Sequence, residues 1–93
     1  MNRLIEVVDR LSEFDDNGTI YASEPWTETS CAIVAVEPEV GGLPLEAAER
    51  GVTYFLEVSI ARDFIEDWQS LQNEKVTSSD ICRRLIQYAT NDA

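Results

Sequence analysis

GVTYFLEVSIARDFIEDWQSL, residues 51–71, decides the fold, because in it a strand pattern passes directly into a helix pattern. Over Val52–Ile60 the apolar residues Val52, Tyr54, Leu56, Val58 and Ile60 alternate with Thr53, Phe55, Glu57 and Ser59, the period of two that turns one strand face to a core. Only Phe55 breaks the polar face. From Phe64 the period changes. Phe64, Ile65, Trp68 and Leu71 fall at the i, i+1, i+4, i+7 positions of one helix face. Asp63, Glu66 and Asp67 occupy the first turns, where carboxylates suit the positive end of the helix dipole. The stretch predicts a strand and a helix sharing one core, with Phe64, Ile65, Trp68 and Leu71 buried.

Upstream, Asn2 to Phe14 sets Leu4, Val8 and Leu11 on one face, broadened by Ile5, Val7 and Phe14, and reads as an N-terminal helix. Asp15-Asp16-Asn17-Gly18 stops it and makes a turn into a short strand at Thr19–Ala22. The polar Ser23–Ser30 stretch, with Pro25 unable to donate to a ladder, is a loop. Cys31–Val36 is apolar throughout, the mark of a strand covered on both faces, and is taken as the middle strand. After the Glu37–Pro44 connector, Leu45–Arg50 makes a short helix closed by Gly51. Downstream, Thr77-Ser78-Ser79-Asp80 has the form of a capping box for a last helix, whose buried face is Ile81, Cys82, Leu85, Ile86, Tyr88 and Ala89. The expectation is a single α+β domain over residues 1–93: a three-stranded sheet covered on one face by helices, in the order helix, strand, strand, short helix, strand, helix, helix.

Eighteen acidic residues against six arginines and one lysine, Lys75, give a net charge of −11, which repels nucleic-acid phosphates and anionic membrane surfaces. The expected partners therefore exclude nucleic acid and membrane. Cys31 and Cys82 lack a C-x-x-C spacing and any histidine nearby, so they are expected to be small buried hydrophobes in a reducing cytoplasm. No apolar run matches a signal peptide or a membrane span, which leads to the expectation of a soluble, unprocessed chain.

The sharpest motif is Glu13–Glu24, which fits the EF-hand calcium frame at Asp15, Asn17, Gly18, Ile20 and Glu24. Glu13 stands where the first ligand is normally Asp, and Pro25 follows where an exit helix must continue. The acidic pairs Glu66/Asp67, Asp15/Asp16 and Glu37/Glu39 offer carboxylates for acid–base work, but nothing in the sequence sets two of them across a cleft. Without histidine, a phosphate loop or a base partner for Ser or Cys, the chain is read as a non-enzyme. No catalytic residue, metal ligand or cofactor is assigned.

Trp26 in its polar loop and Phe55 on the polar strand face are not needed by the core as patterned, so they become candidate partner contacts, together with the acidic Glu24 and Glu28 beside Trp26. Trp26, the Cys31-Ala32-Ile33-Val34 run, Gly51-Val52-Thr53-Tyr54-Phe55-Leu56, and the closing Tyr88 with Asn91-Asp92-Ala93 resemble a family of small uncharacterised acidic bacterial proteins. In size and charge that family is similar to immunity proteins encoded beside bacterial toxins. The resemblance implies a bacterial, cytoplasmic, non-catalytic protein. The expected function is an acidic protein-interaction domain of the immunity or inhibitor kind, docking on a basic partner. The alternatives are a calcium or small-ligand protein using the 13–24 loop and an acidic enzyme using a carboxylate pair.

Overall fold

A computed structural model describes residues 2–72 and 74–92. The chain is α+β, with a four-stranded antiparallel sheet. Its elements are β1 (Asn2–Arg3), α1 (Leu4–Asp9), a 3-10 turn (Leu11–Glu13), β2 (Gly18–Ala22), β3 (Cys31–Val36), α2 (Leu45–Arg50), β4 (Thr53–Glu57), α3 (Val58–Ser70) and α4 (Ser78–Asp92). The spatial order is β1-β3-β2-β4, so β2 and β3 form the centre.

The expected N-terminal helix over Asn2–Phe14 is divided. Asn2 and Arg3 pair with Ala32 and Cys31 as a short edge strand, which the open edge of β3 recruits by backbone bonding that no side-chain period announces. The helix starts at Leu4, where the Glu6 carboxylate accepts the Arg3 backbone N–H at 2.8 Å. Leu4, Val7, Val8 and Leu11 then enter the core as their spacing requires. The sheet thus has four strands where three were expected.

The 51–71 stretch does form a strand followed by a helix, but the boundary lies earlier than its alternation suggests. The strand ends at Glu57, and Val58 opens α3, with Val58 and Ala61 buried and Phe64 and Ile65 packed against the same core. Trp68 is half-buried. Leu71, expected inside, lies at the helix C-terminus and is 78% exposed. Phe55, assigned by alternation to the polar face, is only 2% exposed. The reason is a β-bulge. Ile20 pairs with Leu56 and Tyr21 with Tyr54, which leaves Phe55 as the extra residue. Phe55 and Leu56 then both join the helix-covered core, and Tyr54 moves to the opposite face, 46% exposed.

That main core holds Ile20, Ala22, Ala32, Phe55 and Leu56 of the sheet under α1, α3 and α4. From α4 it receives Cys82, Leu85 and Ala89, whose spacing is one helix face. The capping box of α4 forms as its sequence predicts: Asp80 N–H donates to the Thr77 hydroxyl at 3.1 Å, and Thr77 N–H to the Asp80 carboxylate at 3.2 Å. Helices do not cover one face alone. On the other face Ala47 of α2 packs with Tyr21, Ile33 and Val52, the short helix closing at Gly51 in the left-handed conformation with φ 69°.

Candidate acidic cleft at the end of the sheet

The sheet register brings three distant chain segments together at one end. Gly18 lies opposite Val36, and Thr19 lies opposite Ala35 on one side and Glu57 on the other. The turn before β2, the exit of β3 and the β4–α3 junction therefore enclose a cleft of about 570 Å³. Asp15, Asp16, Glu37 and Glu57 line it, with Thr19 and Ser59 between them.

Each wall has a local cause. In the turn, Asp15 accepts the Asn17 N–H on its carboxylate at 2.9 Å and the Gly18 N–H on its backbone carbonyl at 2.9 Å. A Cβ at Gly18 would stand 2.9 Å from Val34 Cγ1 and 3.1 Å from the Asp15 carbonyl, so only glycine lets the turn lie this close to β3. Arg62 of α3 fastens the same segment, donating to the Leu11 carbonyl from Nη2 at 2.9 Å, to the Phe14 carbonyl, and to the Asp16 carboxylate. Glu57 occupies the N-cap position of α3 without a side-chain capping bond, at the end of the helix where the dipole favours negative charge. Arg62 pairs with one of the four carboxylates. Among the described residues, no ion pair is formed by Asp15, Glu37 or Glu57.

Beside the cleft, on the sheet face away from the main core, stand Tyr21 and Tyr54, edge to face with ring centroids 6.5 Å apart. Both phenols are pushed above their ordinary pKa of 10.0. Burial is the leading cause for each, followed by Glu37 for Tyr21 and by Glu57 and then Glu37 for Tyr54. The cleft carboxylates thus act electrically on both rings.

The contact candidates picked out in the sequence lie at the other end of β2, about 13 Å away by strand rise. Trp26 and Phe55 meet there edge to face, and Glu24 accepts a hydrogen bond from the Thr53 hydroxyl at 2.9 Å. Phe55 is buried and offers no surface. Trp26 is half-buried against the core. Glu28 is half-buried, and its backbone carbonyl accepts the Ile5 N–H at 3.0 Å. Three of the four candidates are brought together, as a seam that ties the 23–30 loop to the sheet.

The calcium frame is spread over other structure. Glu13 is in the 3-10 turn, Ile20 is buried in β2, and Glu24 is engaged by Thr53. Among the described residues, no group of three His, Cys, Asp or Glu side chains lies close enough to hold a metal ion. Glu66 and Asp67 are exposed on α3, and Glu39 lies in the connector after β3. Of the cysteines, Cys82 is buried in the core, with its thiol pushed up to about 12, first by burial and then by Glu28. Cys31, expected inside, is exposed at the start of β3.

Three of the seven basic residues lie elsewhere, next to Glu74 and Asp80, with Arg83 paired to Asp80 at 3.2 Å. Lys75, Arg83 and Arg84 border a second groove of about 510 Å³ beside Trp68, with the Arg84 guanidinium 5.9 Å from the Phe64 ring centroid. Among the described residues, no helix is long and apolar enough to cross a membrane. No family model, curated protein or solved structure matches the chain.

Proposed function

We propose that the protein is a non-enzymatic acidic interaction module, of the immunity or inhibitor kind, that docks a basic protein against the cleft at the end of the sheet. The observation that carries this reading is the convergence of Asp15, Asp16, Glu37 and Glu57 on one cleft in which Arg62 neutralises a single carboxylate. A net charge of −11 steers a basic partner from a distance, and the cleft fixes where it lands. In this reading the docking site is the acidic end of β2, and the Trp26 seam supports the fold.

The test is a comparison at equal charge. Immobilised protein is offered to native bacterial lysate at low salt, as the double variant Glu37→Lys/Glu57→Lys and as Glu49→Lys/Glu66→Lys, whose residues lie outside the cleft. Both pairs raise the net charge by the same amount. Loss of a basic partner from the cleft variant, with retention by the other, supports the proposal; equal loss from both would reduce the interaction to undirected charge and end it. Raising salt from about 0.05 to about 0.5 M shrinks the Debye length from roughly 14 to 4 Å and should chiefly slow association.

A further inference from the structure

β3 is paired along the whole of one side and along only part of the other. All of Cys31–Val36 runs beside β2 or its turn, whereas β1 covers Cys31 and Ala32 alone. The bonds at the start of the strand fix where its remaining backbone groups point. Ser23 N–H donates to the Cys31 carbonyl at 2.9 Å, on the β2 side, and Leu4 N–H donates to the Ser30 carbonyl at 2.8 Å, on the β1 side. Antiparallel alternation then turns Ile33 and Ala35 toward β2, and Val34 and Val36 toward the open side past the end of β1. Among the described residues, no strand, turn or side chain is bonded to the outward N–H and C=O of Val34 and Val36. Side-chain exposure rises where β1 stops, from 0% at Ala32 and 7% at Ile33 to 67% at Val36. The opposite edge of the sheet is guarded, since β4 carries the bulge and ends on the charged Glu57, two devices that discourage pairing. Ile33-Val34-Ala35-Val36 has neither a charge nor a proline.

We infer that the basic partner adds an extended segment to this edge, in line with β1 and antiparallel to β3, held by the backbone N–H and C=O groups of Val34 and Val36. The inference rests on the basic-partner reading above and names how that partner docks. Charge decides the occupant. β3 runs directly into the exposed Glu37, and Val36 itself lines the cleft with Asp15, Asp16 and Glu37. In an antiparallel pair the residue opposite Glu37 stands on the same side of the sheet and within reach of its carboxylate, which favours lysine or arginine there. A second copy of this chain would bring a further net charge of −11 to the same place and is repelled. From N- to C-terminus the segment is a basic residue, a β-branched residue opposite Val36, any residue opposite Ala35, and a β-branched residue opposite Val34. The backbone ladder supplies the hold, and its register delivers the basic side chain to the cleft.

The probe is the pentapeptide KKVTV, acetylated and amidated, titrated to millimolar concentration into the whole protein at low salt and followed by amide NMR shifts and hydrogen exchange. Shifts centred on Ile33 to Glu37 are expected, with the Val34 and Val36 amides, fast to exchange in the free protein, slowed by the peptide. N-methylation of the first valine, whose N–H faces Val36, should weaken binding about tenfold, while N-methylation of the threonine, whose N–H faces away from β3, should leave it unchanged. Val36→Pro removes the outward N–H without touching a bond to β2, and should weaken binding by about the same factor. The two methylated peptides apply the same test to the unaltered protein should that variant fold poorly. Absence of shifts, equal binding of the two methylated peptides, or wild-type affinity in a folded Val36→Pro protein overturns the inference. If strand addition fails in this way while Glu37→Lys/Glu57→Lys still loses the partner protein, the acidic docking surface stands without it. Equal binding of the uncharged peptide QQVTV overturns the basic occupant and, with it, the reading on which the inference rests.

Discussion

The Trp26 indole stands edge-on to the Phe55 ring, with centroids 4.9 Å apart and planes at 89°, and its Nε1–H donates to the Ala22 carbonyl at 3.3 Å. This pair joins the 23–30 loop to the bulged residue of β4. Trp26→Ala is expected to cost about 2–4 kcal/mol, somewhat below a fully buried tryptophan because the ring is half-exposed. Urea unfolding measures it, and a loss under about 1 kcal/mol would show the loop to be independent of the core.

Gly18 is a steric position. A methyl group there meets Val34 Cγ1 at 2.9 Å and the Asp15 carbonyl at 3.1 Å. Gly18→Ala should destabilise by about 1–3 kcal/mol, as overpacking does, and Val34→Ala in the same chain should recover part of that loss. Additive losses in the double-mutant cycle would mean that the Val34 contact does not carry the cost.

Two carboxyls at helix starts link stability to pH. Backbone hydrogen bonding, from Arg3 N–H to Glu6 and from Thr77 N–H to Asp80, is the first cause holding their pKa values below the ordinary 4.5 and 3.8. With folded values depressed, their contribution is complete above those ordinary values and is lost as pH falls below them through the folded pKa values. The urea midpoint should therefore drop as pH falls below about 5, and the Glu6→Gln/Asp80→Asn variant should show a shallower drop than wild type. An unchanged slope would remove these caps from the acid response.

The cysteines should differ in reactivity. Cys31 is exposed, whereas the Cys82 thiol is buried and pushed up to about 12. A disulfide reagent near neutral pH should modify one thiol rapidly in the native protein and the second only on unfolding. Cys31→Ser should abolish the fast phase; a fast phase that survives it would place Cys82 at the surface.

The sequence by itself determined the α+β class, the strand-to-helix passage in residues 51–71, α2 with its Gly51 cap, and the Thr77–Asp80 start of α4. Each is written in residues within a few positions of one another, through period, propensity and caps that act locally. Helix geometry also marks the face of α4 that meets the core: of the residues expected there, Cys82, Leu85 and Ala89 are buried, while Ile81, Ile86 and Tyr88 are only partly buried at its edges.

Tertiary structure decided what depends on pairing between distant segments. The 52–60 alternation suits either one long strand or a strand ending where a helix starts, and the pairing of β4 with β2 selected the second. That pairing also inserted the bulge, which turned Phe55 inward and Tyr54 outward; the break in alternation at Phe55 was its only sign in the sequence. β1 is two residues long and has no period to read. The acidic cleft was legible only in parts: Asp15 and Asp16 as a turn, Glu37 as half of a pair, and Glu57 as a polar strand residue. They lie up to 42 positions apart in the chain, and it is the antiparallel register, with Gly18 opposite Val36 and Thr19 opposite Glu57, that sets them around one space. Backbone ladders fix such neighbours through hydrogen bonds common to every residue, so the side chains they gather leave no local mark in the sequence.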